Sequence, residues 1–158
     1  MSPPNPFSHL DDRGQARMVD VSEKPVTRRV AEASCHVRMS PETVSKLSDM
    51  PKGDAFAVAR LAGIQGAKRT GELIPLAHPL GLDQVEVEIV PDAEGVRIQA
   101  RVIVTARTGA ELEAMVSCST AALALYDMVK AVERDAVISD LRLDAKSGGR
   151  TGEFRRRE

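Results

Sequence analysis

Between residues 82 and 107 the chain alternates apolar and polar positions more regularly than anywhere else. Val85, Val87 and Ile89 alternate with Glu86 and Glu88, and Val96, Ile98, Ala100, Val102 and Val104 then alternate with Arg97, Gln99, Arg101 and Ile103. A period of two predicts two strands with one face toward a core and one toward water. Pro91-Asp92-Ala93-Glu94-Gly95 supplies turn chemistry between them, so the pair reads as a hairpin. An imperfect version of the same period, carried by Val30, Ala31, Ala33, Cys35, Val37 and Met39, predicts an earlier strand over 26–39.

Helical spacing fills the intervals. Ser40 as N-cap and Pro41 at the first helical position open a short helix with Val44, Leu47 and Met50 on its apolar side, closed by Pro51. A second helix starts near Asp54, with Ala55, Val58, Ala59, Ala62 and Gly66 at helical spacing, and ends near Thr70 after Lys68 and Arg69. Its small side chains let another backbone approach closely. The longest helix runs from about Ala110 to Arg134, with Leu112, Met115, Val116, Ser119, Ala122, Leu123, Tyr126, Val129 and Val132 as the stripe expected to cross the sheet. Ala136, Val137, Ile138, Leu141, Leu143 and Ala145 then predict a last strand. Strand, helices, hairpin, helix, strand is the order of a split β-α-β unit, and the expected fold is α+β, ferredoxin-like, with helices on one face of an antiparallel sheet. Outward positions that prove hydrophobic would call for an oligomer.

Length fits one domain: a flexible arm over 1–18, a single α+β catalytic domain over 19–147, and a glycine-rich, basic tail over 148–158 of the 158 residues. Aromatic residues make up only 3% of the chain, which removes the base-stacking platforms of many nucleic-acid modules. Twenty-two basic against 23 acidic residues removes the broad positive field of a phosphate-backbone binder, so no nucleic-acid partner is expected. No apolar stretch reads as a membrane span, and the N-terminus has no signal-peptide core. Cys35 and Cys118 have no metal-type spacing, and His9, His36 and His78 form no ligating pattern, so neither metal nor cofactor is expected. Buried, reduced thiols point to the cytoplasm.

Four regions carry candidate chemistry. In the first, Pro75 and Pro79 hold His78 on a stiff backbone, downstream of Lys52, Lys68 and Arg69. GIQGAKRT within it lacks the Gly-Lys-Ser/Thr unit of a nucleotide-binding phosphate loop and lies in a helical pattern. The second is the polar edge of the long helix, where Asp127 and Lys130 are surface neighbours; an exposed ion pair and a carboxylate tuning a proton-transfer lysine both fit. The third, Lys146 to Gly152, combines flexible backbone donors with cations, as an anion nest or as a plain tail. The fourth, Met18 to Lys24 with Arg28 and Arg29, reads as a surface loop. Cations, one constrained imidazole and a few carboxylates suit general acid–base work on a phosphorylated small molecule.

MVDVSEKPVTRR, KGDAFAVARLAGIQGAKRTGELIPLAHPL, TGAELEAM, ALYDMVKAVERD and LDAKSGGRTGEF occur in one order. Together they resemble the cyclic pyranopterin monophosphate synthases of molybdenum cofactor biosynthesis, the MoaC family, over about residues 18–154. The resemblance implies a homohexamer built as a trimer of dimers with sites at subunit interfaces. It also implies a small-molecule substrate, the 3′,8-cyclised dihydro-GTP made by an upstream radical S-adenosylmethionine enzyme, and a product released with pyrophosphate. By the same resemblance Lys52, Lys130 and Asp127 are catalytic, with Asp127 tuning Lys130, and Leu76, Ala77, His78, Leu112 and Glu113 are substrate-binding. His78, Arg29 and Lys146 then serve the phosphates and Glu113 the guanine edge. Ala77 stands where the family often has Cys and Leu112 where it often has Met, departures that backbone contacts survive.

Fourteen positions separate Glu113 from Asp127, about 21 Å along a helix at ~1.5 Å per residue. One site holding both therefore calls for two antiparallel copies of the long helix. The competing expectation is a non-catalytic nucleotide-sensing module, since fold alone does not determine function.

Overall fold

A computed structural model describes residues 9–150 and 152–157. Its central sheet has five antiparallel strands in the order β2-β3-β1-β4-β5. They are β1 (Thr27–Arg38), β2 (Gln84–Asp92), β3 (Gly95–Ala106), β4 (Val137–Ser147) and β5 (Phe154–Arg155). Helices α1 (Pro41–Lys46), α2 (Ala55–Lys68), α3 (Thr70–Leu73) and α4 (Glu111–Val129) complete it, with a 3₁₀ turn over Leu47–Asp49 after α1. The α+β class and the helices on one sheet face agree with the pattern read above.

The inner sheet face is built from small and β-branched residues: Ala31, Ala33, Cys35 and Val37 on β1, and Val96, Ile98, Ala100, Val102 and Val104 on β3, all buried. Against them α4 turns Ala114, Cys118, Ala121, Ala122, Leu125 and Val129. This corrects the stripe read from the sequence. Leu112 and Leu123 are 41% and 60% exposed and point away from the core, because the helix is phased so that Ala114, Cys118, Ala122 and Leu125 face inward. Val58 likewise lies outside the α2 contact, 40% exposed, and Gly63 takes its place. α4 has the length and apolar composition of a membrane span, contrary to the expectation, but half of it is buried within the protein.

The outer sheet face is mostly polar, with Val90 an exposed apolar member. Glu32, Ser34, His36 and Arg38 of β1 stand beside Arg97, Gln99 and Arg101 of β3 and Glu86 and Glu88 of β2. Arg101 Nε lies 3.3 Å from Glu32, and His36 Nε2 3.0 Å from Asp92. Exposed apolar side chains occur on helices and strands alike, Leu61, Leu73 and Leu123 the most exposed of the helical ones and Val137 and Val90 the most exposed on strands.

Element ends differ from expectation where tertiary contacts decide them. Pro91 and Asp92 belong to β2, and Gly95, at φ +147°, begins β3 directly under the Val37 carbonyl where a Cβ has no room. α4 stops at Val129, five residues early, because Val132 and Glu133 N–H both turn back to the Val129 carbonyl at 2.8 and 2.9 Å. α3 extends the helical path beyond Arg69 after the Thr70 hydroxyl bonds the Gly66 carbonyl. β5 had no signature in the sequence; it pairs Phe154 with Lys146 and Arg155 with Ala145, within the segment expected to be a tail. Residues 1–8 of the expected arm, and Thr151 and Glu158 of the tail, lie outside the described residues, while residues 9–17 form a turn whose Arg13 and Gln15 N–H groups bond Asp11.

α2 and α4 run antiparallel in close contact. A Cβ at Gly66 would lie 2.7 Å from Thr120 Cβ, and one at Gly63 3.1 Å from the Ser117 carbonyl oxygen. Gly66→Ala is expected to lower the unfolding free energy by roughly 1–3 kcal/mol despite the better helix propensity of Ala. Gly81→Ala, with nothing within 4 Å of the new methyl, should stay within about 0.5 kcal/mol of the parent. Equilibrium urea unfolding checks both, and a Gly66→Ala protein as stable as its parent would contradict the close contact.

Candidate active site

At the C-terminal end of α4 three charged side chains meet. Lys130 Nζ lies 2.6 Å from Asp127 Oδ1, one helical turn away, and Lys52 Nζ lies 3.7 Å from Oδ2. Lys52 also donates to the Asp127 backbone carbonyl at 3.0 Å, so its ammonium satisfies one of the free carbonyls that end a helix. The turn that carries it is set locally: Gly53 N–H bonds the Met50 carbonyl at 2.9 Å, Pro51 fixes the bend, and Gly53 takes φ +105°. Asp54 then caps α2 by accepting from Phe56 and Ala57 N–H. Hydrogen bonding and charge from Lys130, then the charge of Lys52, hold the Asp127 carboxyl below its ordinary range. All three side chains are about half exposed, so the cluster presents a net positive, solvent-open face to an anion.

His78 is fixed differently. Its Nε2–H donates to the Val19 carbonyl at 2.8 Å, which leaves Nδ1 for other partners. Ala77 N–H closes a turn onto the Ile74 carbonyl at 3.0 Å around Pro75, and Gly71 of α3 lies directly beneath Pro79. Val19, in the segment read as a surface loop, thus orients the imidazole. Leu76 and Ala77 are carried by the same turn, both half-buried.

The remaining candidates gather around the other end of α4. Leu112 is exposed, while Glu113 is only 4% exposed, and burial pushes its carboxyl up to about 7. One turn further on, the buried Ser117 hydroxyl has no hydrogen-bond partner among the described residues. Lys146 Nζ pairs with Glu111 at 3.1 Å, a partner that nothing in the sequence singled out. Arg29 spends donors on the Ala106 and Arg107 carbonyls, both at 3.1 Å, and its guanidinium packs on Gly149, whose φ of +79° favours glycine. The structure therefore brings Lys52, Asp127 and Lys130 together, and sets Glu113, Arg29 and Lys146 near the opposite end of the same continuous helix.

A family model described as the MoaC family matches residues 18–149 of this chain. The chain belongs to the MoaC family. Within reach of that match, the chain is 57% identical over 153 residues to cyclic pyranopterin monophosphate synthase 1 of Mycobacterium tuberculosis, covering 95% of this chain and 90% of the relative. It is 53% identical over 158 residues to the cyclic pyranopterin monophosphate synthase of Streptomyces griseus, covering 99% and 89%. The protein of that name from Dinoroseobacter shibae is 53% identical over 152 residues, covering 94% and 96%. These MoaC proteins match this chain nearly end to end, with the Lys52 turn, the His78 segment and both ends of α4 inside the aligned span.

Glu113 yields a pH prediction. Its folded carboxyl is raised to about 7 from an ordinary value of 4.5, so the folded state binds the extra proton between those limits. Stability then falls as pH rises from about 4.5 through about 7, the reverse of an ion-paired carboxylate. Glu113→Gln should match the parent below pH 4.5 and exceed it by roughly 1–3 kcal/mol above pH 7. Urea unfolding at several pH values measures the difference; a gap that does not vary with pH would contradict the burial of an ionisable group there.

Proposed function

We propose that this protein is a cyclic pyranopterin monophosphate synthase. It converts (8S)-3′,8-cyclo-7,8-dihydroguanosine 5′-triphosphate into cyclic pyranopterin monophosphate and pyrophosphate in molybdenum cofactor biosynthesis. The names of MoaC relatives above 50% identity support the reaction. The observation within this chain that carries it is the Lys52–Asp127–Lys130 cluster: two ammonium groups sharing one carboxylate on a stiff helix end.

The chemistry asks for proton movement during ring opening and closure, and for a cyclic phosphate at the end. A sugar hydroxyl forms a new O–P bond to the α-phosphorus, its proton passes to a base, and the α–β bridging P–O bond breaks with its electrons leaving on pyrophosphate. Lys52 and Lys130 serve as the proton-transfer groups, and Asp127 orients Lys130 and balances its charge. His78, Arg29 and Lys146 face the phosphates, and Glu113 takes the guanine edge with Leu76, Ala77 and Leu112 alongside.

One protomer does not close this set. Fourteen residues of α4 hold Glu113 and Asp127 about 21 Å apart at ~1.5 Å per residue. Two protomers with α4 antiparallel bring Asp127 of one beside Glu113 of the other, and the exposed Leu112 and Leu123 give the helix an apolar outward stripe for such pairing. Three such dimers make the hexamer. The substrate comes from a radical S-adenosylmethionine enzyme, and the setting is the cytoplasm.

Purified protein incubated with the cyclised GTP intermediate should release pyrophosphate and the pterin product. Lys52→Ala and Lys130→Ala should each lower turnover by at least about 100-fold while circular dichroism and oligomer size stay unchanged. Ligand-linked assembly without product in the unaltered protein would instead identify a sensing module.

A further inference from the structure

The carboxylate of Glu133 is used in a way that neither the fold nor the reaction explains at first sight. It sits three residues beyond Lys130, in the turn that ends α4, yet its partners belong to the head of α1. Thr43 Oγ1 donates to Glu133 Oε2 at 2.5 Å, Ser40 Oγ donates to the same oxygen at 2.7 Å, and Ser40 N–H donates to the carboxylate at 3.0 Å. Three donors on one carboxylate, one of them the Thr43 side chain at 2% exposure, make a charge-assisted cap from a distant part of the chain. These bonds hold the Glu133 carboxyl below its ordinary range, Thr43 contributing most.

Connectivity gives the clamp its consequence. Ser40 opens a compact unit of α1, the 3₁₀ turn and the Met50–Gly53 turn, pinned to the core by Leu47 and Met50 and ending in Lys52. Glu133 closes the other side, in the turn that begins with Lys130 N–H on the Tyr126 carbonyl and is braced by the Tyr126 hydroxyl on the Arg134 carbonyl. Lys52 and Lys130 thus come from two segments whose one cross-link outside the cluster, among the described side-chain hydrogen bonds, is the Glu133 clamp.

We propose that Glu133 is a positioning residue for the proton-transfer cluster, its grip on Ser40 and Thr43 setting the reach of Lys52 onto Asp127. The inference rests on the synthase reading for its kinetic consequence and on the geometry alone for its structural one. Glu133→Ala removes the clamp, Thr43→Val removes its shortest bond while keeping the side-chain volume, and Glu133→Gln keeps an acceptor. Glu42→Gln, which breaks the exposed Glu42–Lys46 pair on the same helix and removes none of the clamp's hydrogen bonds, serves as the control.

Two measurements decide it. Carbon-13 NMR of labelled aspartate carboxyls follows the titration of Asp127, and steady-state kinetics with the cyclised GTP intermediate separates kcat from KM. Glu133→Ala and Thr43→Val should move the Asp127 midpoint up toward its ordinary value and lower kcat by tenfold to a hundredfold, on the order expected for a misplaced catalytic group, with KM within about threefold. Glu133→Gln should recover part of both, and Glu42→Gln should match the parent. An unmoved Asp127 midpoint with parental kcat in both clamp variants overturns the proposal, as does a loss confined to melting temperature. Absence of turnover in the unaltered protein counts against the synthase reading instead, and the Asp127 titration still decides the clamp.

Discussion

Close approach of α2 to α4 is the constraint on which the rest of this structure depends. Gly63 and Gly66 let the α2 backbone settle against Ser117, Thr120 and Ala121, and the Ala- and Val-lined sheet lets α4 settle in turn. With 3% aromatic residues the core has few bulky side chains to hold layers apart, and its stability comes from many short-range contacts between small groups. Because the helices are antiparallel, the start of α2 lies against the end of α4, which is where Lys52 reaches Asp127. The packing of small residues and the position of the charged cluster are therefore one fact.

Much of the architecture was legible because period-two and period-3.6 patterns are local. The hairpin of Val85–Ile89 and Val96–Val104, the Ser40-Pro41 helix start and the Asp54 cap could all be read from neighbouring residues. What failed depended on partners far along the chain. The face of α4 was misphased because Leu112 and Leu123 are more hydrophobic than Ala114 and Ala121, yet the small residues lie on the arc that the sheet and α2 bury together with Leu125. The helix end at Val129 and the strand at Phe154–Arg155 carry no local punctuation, since their causes are the following turn and the β4 edge. In the site, the Asp127–Lys130 spacing was readable as helix geometry. The ties of Glu111 to Lys146 and of Val19 to His78 join residues 35 and 59 positions apart and left no mark in the pattern.

The two ends of α4 differ in electrostatic character. Asp127 is ionised readily because ammonium groups surround it in water, whereas Glu113 resists ionisation because the protein has removed its water. Identical chemistry thus acquires opposite proton affinities from environment alone. A helix with a permanent anion at one end and a carboxyl titrating near neutrality at the other has two distinct polar termini to offer to whatever lies across its exposed stripe.

β5 has a consequence for how copies of this chain can meet. An open strand edge is a template for further strands, and proteins commonly guard it with short strands, charge or proline. Here β5 is two residues long and leads into Arg156 and Arg157, whose like charges repel a second copy, while the opposite edge, β2, carries Glu86, Glu88 and Pro91 along its length. Ribbon-like growth through backbone pairing is discouraged along β2 and where β5 covers Ala145 and Lys146 of β4, which favours side-chain surfaces as the route of self-assembly.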